Sequence, residues 1–324
     1  MEQGLRGAIL AGGRGTRMAP LNEFFPKPLL PIMNRPLIEY QILAMKKLGI
    51  DQVTILIGHK GYLISQELGD GARLGVQITY VEQTEALGIA HALGQLAPHI
   101  DGPFVLMLGD IYFVEDDLGD MVRIYHESAY SAVLAAKRVS DPREMAKNYA
   151  ILTDRKGRVT RVVEKPRETA SELKGVGLYL FDATIFDAIR RTPRTAMRNE
   201  YELTEAIQIL VESGADVRVS ACVKDDLNLT SPADLLACNM KVMANSGMRQ
   251  CMAEGAHVHP GAVLQSSIVG TGARIAHPIA IRRSVIFAGT IIDTDSDQDG
   301  MVISPGCAVD VRSQFTDWPS ALVG

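Results

Sequence analysis

The sequence predicts an α/β architecture, a mostly parallel sheet flanked by helices, followed by a short β-helix. Three observations carry that prediction. Short apolar runs alternate with stretches of helical period up to about residue 130. Two of the runs end in glycine-containing turns, at the carboxyl ends of strands where such sheets bind ligands. In the last 75 residues an apolar period of six takes over.

Each element follows from its local pattern. Residues 7–10, 52–57, 77–81 and 104–108 are apolar runs of strand length, and helical periods at 37–48, 62–68, 89–96 and 117–126 separate and follow them. From Ser131 the pattern becomes strand-rich, with runs at 132–137, 150–153, 159–164, 176–181 and 216–223 and helical stretches at 203–211 and 232–244. This part is expected to form a lobe folded over the sheet to hold a second substrate. Val263, Val269, Ile275, Ile281 and Phe287 then recur every six residues, and Ser267, Ala273, Ile279, Val285 and Ile291 form a parallel series. A triangular coil that points one residue of each side inward has this period, and 255–292 would supply about two coils of roughly 18 residues. The predicted domains are 1–245 and 250–324.

Composition sets outer bounds. A chain of 324 residues is long enough for two domains and a large core. Hydrophobic content of 47% with 22% charged residues is ordinary globular composition. A net charge of −5 with no lysine/arginine cluster argues against nucleic-acid binding. No apolar run reaches the ~18 residues that span a bilayer. The chain starts Met1-Glu2-Gln3 and enters a strand almost at once, so no signal peptide is expected. Cys222, Cys238, Cys251 and Cys307 lack metal-ligand spacing, which favours reduced thiols in the cytoplasm.

The stretch LAGGRGTRMAPLNEFFPKPLLP, residues 10–31, carries the most chemistry. Leu10 closes a strand, and Ala11, Gly12, Gly13, Arg14, Gly15 and Thr16 make a turn with three glycines and a hydroxyl. Missing Cβ atoms let backbone N–H groups approach phosphate oxygens. Arg17 adds a planar fork matched to phosphate, and Lys27 is held between two prolines with fixed φ. The loop lacks both the dinucleotide-binding spacing and the Gly-Lys-Ser/Thr of a P-loop. A triphosphate is the ligand this turn suits.

The ordered string GGxGTR, PKPLLP and Asn34-Arg35-Pro36-Leu37-Ile38-Glu39-Tyr40 resembles the sugar-1-phosphate nucleotidyltransferase (nucleotidyl-diphospho-sugar pyrophosphorylase) family, closest to bacterial glucose-1-phosphate thymidylyl- and uridylyltransferases. The resemblance implies a Rossmann-like catalytic domain, an appended left-handed β-helix, cytoplasmic location, and a homo-oligomer, dimer or tetramer, formed through the β-helix. It implies EC 2.7.7 chemistry, in which a sugar 1-phosphate attacks the α-phosphorus of a nucleoside triphosphate with Mg2+ and expels pyrophosphate. A phosphate monoester is largely ionised at neutral pH, so the nucleophile needs no side-chain base. Arg17, Lys27 and Asp110 are the candidate catalytic residues. Gln83 would read the pyrimidine edge, with Gly88 at a helix start letting the base approach the backbone. Tyr149, Glu164, Lys165 and Gly177 match the sugar-phosphate segments, and Tyr179 and Glu205 the pocket wall. Asp110 would hold the metal with Asn228, which stands where many relatives carry a second aspartate; Asp226, two residues earlier on the same strand face, is the alternative.

Two departures keep other readings open. Asn228 removes a negative charge, and Ala150 replaces a usual glycine and would narrow the space near the sugar. They support a non-catalytic regulatory paralogue that binds NDP-sugars, against which stand the charges of Arg17, Lys27, Asp110 and Lys165. A mannose-1-phosphate guanylyltransferase is the catalytic alternative. Finally, Asp295, Asp297, Asp299 and Gly300 match the first half of a calcium loop, but Gly306 occupies the position of its bidentate glutamate. A solvated acidic loop is expected there.

Overall fold

The computed structural model describes residues 4–127, 130–168, 171–195, 199–316 and 318. The chain gathers into two compact units, Met1–Gly13 with Gln41–Asp226, and Arg14–Tyr40 with Leu227–Gly324.

The first unit is built on a nine-stranded sheet. Strands β1 (Arg6–Ala11), β2 (Gln52–Ile57), β3 (Gln77–Glu82) and β4 (Phe104–Leu108) pair in parallel, β1 lying between β2 and β4. All four strands match the expected runs to within a residue at each end, because buried parallel strands read as continuous apolar runs. β1 carries Ala8 and Ile9 at 0% exposure. A short strand β5 (Ile111–Glu115) follows β4 after the two-residue turn Gly109-Asp110.

Beyond residue 130 the chain does not form a lobe over the sheet. Strands β6 (Ala132–Arg138), β7 (Tyr149–Thr153), β8 (Val159–Glu164) and β9 (Leu173–Phe181) extend the same sheet, β9 pairing antiparallel with β4, β6 and β7. The sheet is therefore parallel through β1–β4 and mixed beyond them. One core cluster runs from Ala8 and Phe104 through Leu134 and Tyr179 to Ile207. A lobe and a sheet extension share one strand pattern; only the pairing partner separates them.

The second unit contains the β-helix. Cys251, Ile268, Val285 and Val302 stack in parallel, as do His257, Arg274 and Ile291, so equivalent positions lie 17 residues apart. The coil is therefore 6 + 6 + 5 residues long where three equal sides of six were expected. The inward series is Val269, Ile275, Ile281, Ile286 and Ile292, all buried in one cluster. The shift at the short side turns Val263 and Ile291 outward, 59% and 67% exposed, and moves Phe287 off the coil axis. A strand at Ala308–Asp310 runs antiparallel to Met301–Ile303 and closes the last coil.

Residues 14–40 pack within this unit. The two-residue turn Met33-Asn34 has φ 49° and 66° and joins Pro31–Ile32 to Arg35–Pro36 as a hairpin. The fully buried Asn239, on the helix Pro232–Asn245, accepts from the Met33 N–H at 2.8 Å and donates to the Pro31 carbonyl at 2.9 Å. Asn34 donates to the Val269 carbonyl at 3.1 Å. Phe25 meets Phe287 edge to face at 5.2 Å, and the Phe24 ring fills the space a Cβ on Gly306 would need.

Candidate active site

In the first unit, β1 delivers Leu10, Ala11, Gly12 and Gly13 to the carboxyl end of the sheet. Gly12 is enclosed: its carbonyl lies where a Cβ on Gly58 would be, and a Cβ on Gly12 itself would stand 2.0 Å from Gln83 Oε1. The Gln83 side chain thus lies directly on the glycine turn. Gln83 is fixed by its own backbone, whose N–H donates to the Ile57 carbonyl at 2.7 Å, and its Nε2 donates to the Glu85 carbonyl at 3.1 Å. Gly13 is exposed, with open space around its Cα. The geometry joins two motifs that lie seventy residues apart in the chain.

Gly88 has another reason to be glycine than the expected approach of a base. At φ 113°, its missing Cβ is replaced by the backbone of Tyr201, 2.5 Å from the Cβ position, and Tyr201 N–H donates to the Leu87 carbonyl.

Asp110 sits half-buried in the turn after β4. Gly109 is required beside it, since a Cβ there would meet the Leu10 carbonyl at 2.7 Å, the same oxygen that accepts the Gly109 N–H. The turn is held from the other side by the side-chain amide of Gln41, on helix α1 (Leu37–Lys47), whose Nε2 donates to both the Leu108 and Ile111 carbonyls at 2.8 Å. Gly177, with φ 71°, packs its Cα against Leu108 and Ile111.

Glu164 ends β8 and Lys165 follows it; both are exposed, Lys165 Nζ lying 3.4 Å from Glu164 Oε1. Lys165 has φ 45°, an uncommon conformation for a side-chain-bearing residue, and its N–H donates to the Asn148 carbonyl at 2.7 Å. Strain of this kind collects where a side chain must be aimed. Tyr149 is placed differently from the expectation of direct sugar contact. Its ring is buried against Tyr179 and the bare Cα of Gly175, and burial pushes its phenol well above the ordinary value. Ala150 is fully buried, and its methyl packs with Val139 and Met145 in a separate cluster.

Asp226, the alternative metal ligand, is engaged by a lysine. Its side chain is 1% exposed and lies 2.5 Å from the Lys174 ammonium, itself 3% exposed. Lys174 also reaches Glu144 at 2.9 Å, and Lys137 joins Glu144 to Asp225. Burial raises the Asp226 carboxyl while Lys174 opposes the rise. The group is consumed inside the sheet extension. Asn228, two residues on, is exposed.

In the second unit, Gly15 has φ 61° and the aliphatic stem of Lys27 lies against its Cα, 3.0 Å from the Cβ position. Thr16 and Arg17 lie in the short helix Thr16–Met18, exposed while Met18 is fully buried beneath them. Pro26 precedes and the buried Pro28 follows Lys27. The acidic side chains of the loop are engaged locally: His277 lies between Asp293 and Asp295 within hydrogen-bond distance of each, and Arg282 and Arg283 pair with Asp297 and Asp299. Among the described residues no cluster of three His, Cys, Asp or Glu is arranged for a metal ion, and no helix is long and apolar enough to cross a membrane.

Gln41 and Lys174 were not singled out from the sequence. Gln41 was legible in part: on the 37–47 helix it shares the apolar face of Ile38, Ile42 and Met45, a position that asks for a hydrogen-bond partner. Lys174 had no such signal.

Comparison with known proteins follows the same lines. A family model described as nucleotidyl transferase matches residues 6–243. A glucose-1-phosphate thymidylyltransferase of Streptomyces antibioticus is 34% identical over 292 residues, covering 88% of this chain and 78% of its own. A UTP–glucose-1-phosphate uridylyltransferase of Haloferax volcanii is 36% identical over 213 residues, covering 66% and 86%. A Bacillus anthracis protein assigned as a glucose-1-phosphate thymidylyltransferase, crystallised with sucrose, superposes with a TM-score of 0.65 at 27% identity, covering 73% of this chain and 94% of its own. The chain belongs to the nucleotidyl transferase family.

Proposed function

We propose that this enzyme transfers a nucleotidyl group from dTTP or UTP to glucose 1-phosphate and releases pyrophosphate. The Gln83 amide lying on Gly12 carries the proposal: it offers a donor and an acceptor to a pyrimidine edge beside backbone N–H groups suited to phosphate. Relatives that bear thymidylyl- and uridylyltransferase names, both with glucose 1-phosphate, support this base class and sugar.

A phosphate oxygen of the sugar phosphate attacks the α-phosphorus; that P–O bond forms as the bond to the β-phosphate bridging oxygen breaks, and the electron pair leaves with pyrophosphate. Alignment and charge neutralisation do most of the work. The backbone of Leu10–Gly13, Gly15 and Thr16 donates to phosphates, Arg17 and Lys27 neutralise the α-phosphate and leaving group, and Lys165 with Glu164 binds the sugar phosphate. Mg2+ bound with the triphosphate supplies charge and in-line orientation. Its preference for one or two protein oxygens beside phosphate and water fits the half-buried Asp110 carboxylate and the exposed Asn228 amide. The buried ion pair of Asp226 with Lys174 supports Asn228 over Asp226 as the second oxygen ligand.

Pyrophosphate release from each nucleoside triphosphate, paired in turn with glucose, mannose, galactose and N-acetylglucosamine 1-phosphates, with and without EDTA, tests the proposal. Turnover is expected with dTTP or UTP and glucose 1-phosphate, and its loss in EDTA. Preference for GTP with mannose 1-phosphate would overturn the base and sugar, and no turnover with any pair would support a regulatory paralogue.

A further inference from the structure

We propose that Gln41 is a positioning residue for Asp110, stapling the turn that presents this carboxylate. The inference rests on the assignment of Asp110 to the metal. Gln41 is 1% exposed, and its single amide nitrogen donates to the carbonyls at both ends of Leu108-Gly109-Asp110-Ile111, each at 2.8 Å. One donor group therefore fixes the distance across the turn. The orientation of the amide is determined, because a flipped amide would set its oxygen against two carbonyl oxygens. Its Oε1 is buried without a hydrogen-bond partner. That arrangement costs stability, so packing alone does not explain a glutamine on this face, where its helix neighbour Ile42 is fully buried.

The other constraints on the turn leave the staple its task. Gly109 is anchored through its N–H to Leu10, and Gly177 presses on the Leu108 and Ile111 side chains. Both act on backbone or apolar atoms at one side. Only the Gln41 amide, among the bonds described for this turn, spans the peptide carbonyls on either side of Asp110. Groups that orient a metal ligand from behind commonly change metal affinity or activity by about 10–100-fold when removed.

The test uses Gln41→Met, which keeps length and volume without the donors, in the full-length enzyme. Two readouts are taken: the Mg2+ concentration for half-maximal turnover, and the ratio of the dTTP dissociation constant in EDTA to that in saturating Mg2+. Gln41→Met is expected to raise the first by about tenfold and shrink the second by a similar factor, with the EDTA dissociation constant unchanged. In an Asp110→Asn background the same substitution should add little, because both act through one group. An equal factor in both backgrounds would mean a general structural role and would overturn the proposal. A Mg2+ effect that survives Asp110→Asn would instead refute the metal assignment itself. Gln41→Asn, which retains the donors one methylene short, gives the same comparison if the methionine variant does not fold.

Discussion

At the scale of single residues, Gly12 and the Gln83 side chain are in close contact. A methyl on Gly12 would displace the end of the Gln83 side chain, which is flexible, while the backbone around Gly12 would be left in place. Gly12→Ala should therefore fold normally and raise the KM for dTTP or UTP by about five- to tenfold, the value of one or so hydrogen bond; steady-state kinetics with thermal unfolding as a control checks this. An unchanged KM would remove Gln83 from base recognition. Asp110→Asn is expected to lower turnover on the order of 10²-fold or more, as for the loss of a charge-stabilising group. Wild-type turnover would contradict its role.

At the scale of elements, the sheet extension β6–β9 is tied together by alternating charges. Lys174 enters from β9, Glu144 from the segment between β6 and β7, Lys137 from β6, and Asp225 and Asp226 from the strand Val223–Asn228. Lys174→Met would leave the Asp226 carboxylate buried and unpaired, a loss of about 3–5 kcal/mol. Lys174→Met with Asp226→Leu should recover most of it, since an apolar pair replaces an ion pair at little cost. Urea denaturation of the single and double variants measures both; a double variant as unstable as the single would refute the ion-pair account. The Glu144 carboxyl is held below its ordinary value of 4.5 by Lys174 and Lys137, which outweigh its burial. Its stabilising contribution is therefore complete above that ordinary value and lost as pH falls through the lowered one. The stability difference between wild type and Glu144→Gln should shrink over that acidic window and stay flat from pH 6 to 8.

This element scale is also where the sequence was least legible. Strands β1–β4 stood out because continuous apolar runs between helices have one good solution, a buried parallel sheet. The strands after residue 130 were found, yet their placement depends on which edge they join, and β4–β9 pairing leaves no local trace. The helix Thr184–Arg191 and strand β5 are short segments that the pattern passed over. The candidate site divides in the same way. Glycine turns and strand-end acids show in the chain as motifs, whereas Gln41, the Lys174 network and the burial of Ala150 depend on neighbours far away in sequence.

At the scale of the whole molecule, the chain gathers into the two compact units described above. Residues 14–40, which carry Gly15, Arg17 and Lys27, belong with the β-helix. The β-helix is thus part of the frame that holds these cations, through Asn34 on Val269, Phe25 on Phe287 and Phe24 on Gly306. Phe287→Ala should loosen that frame by about 0.5–1.5 kcal/mol from the aromatic pair beyond the lost burial. The KM for the triphosphate is expected to rise about two- to tenfold while the KM for glucose 1-phosphate holds. Equal rises in both constants would show that the β-helix acts on the fold as a whole.

The proposed function requires the glycine turn after β1, with the Gln83 amide lying on it, to receive the nucleotide. A crystal structure of the protein soaked with dTTP or UTP tests it most directly. Phosphate density against the backbone of Gly12 and Gly13, with the pyrimidine edge on Gln83, is the predicted result. A triphosphate bound elsewhere, with Gln83 still seated on an empty Gly12 turn, would contradict it.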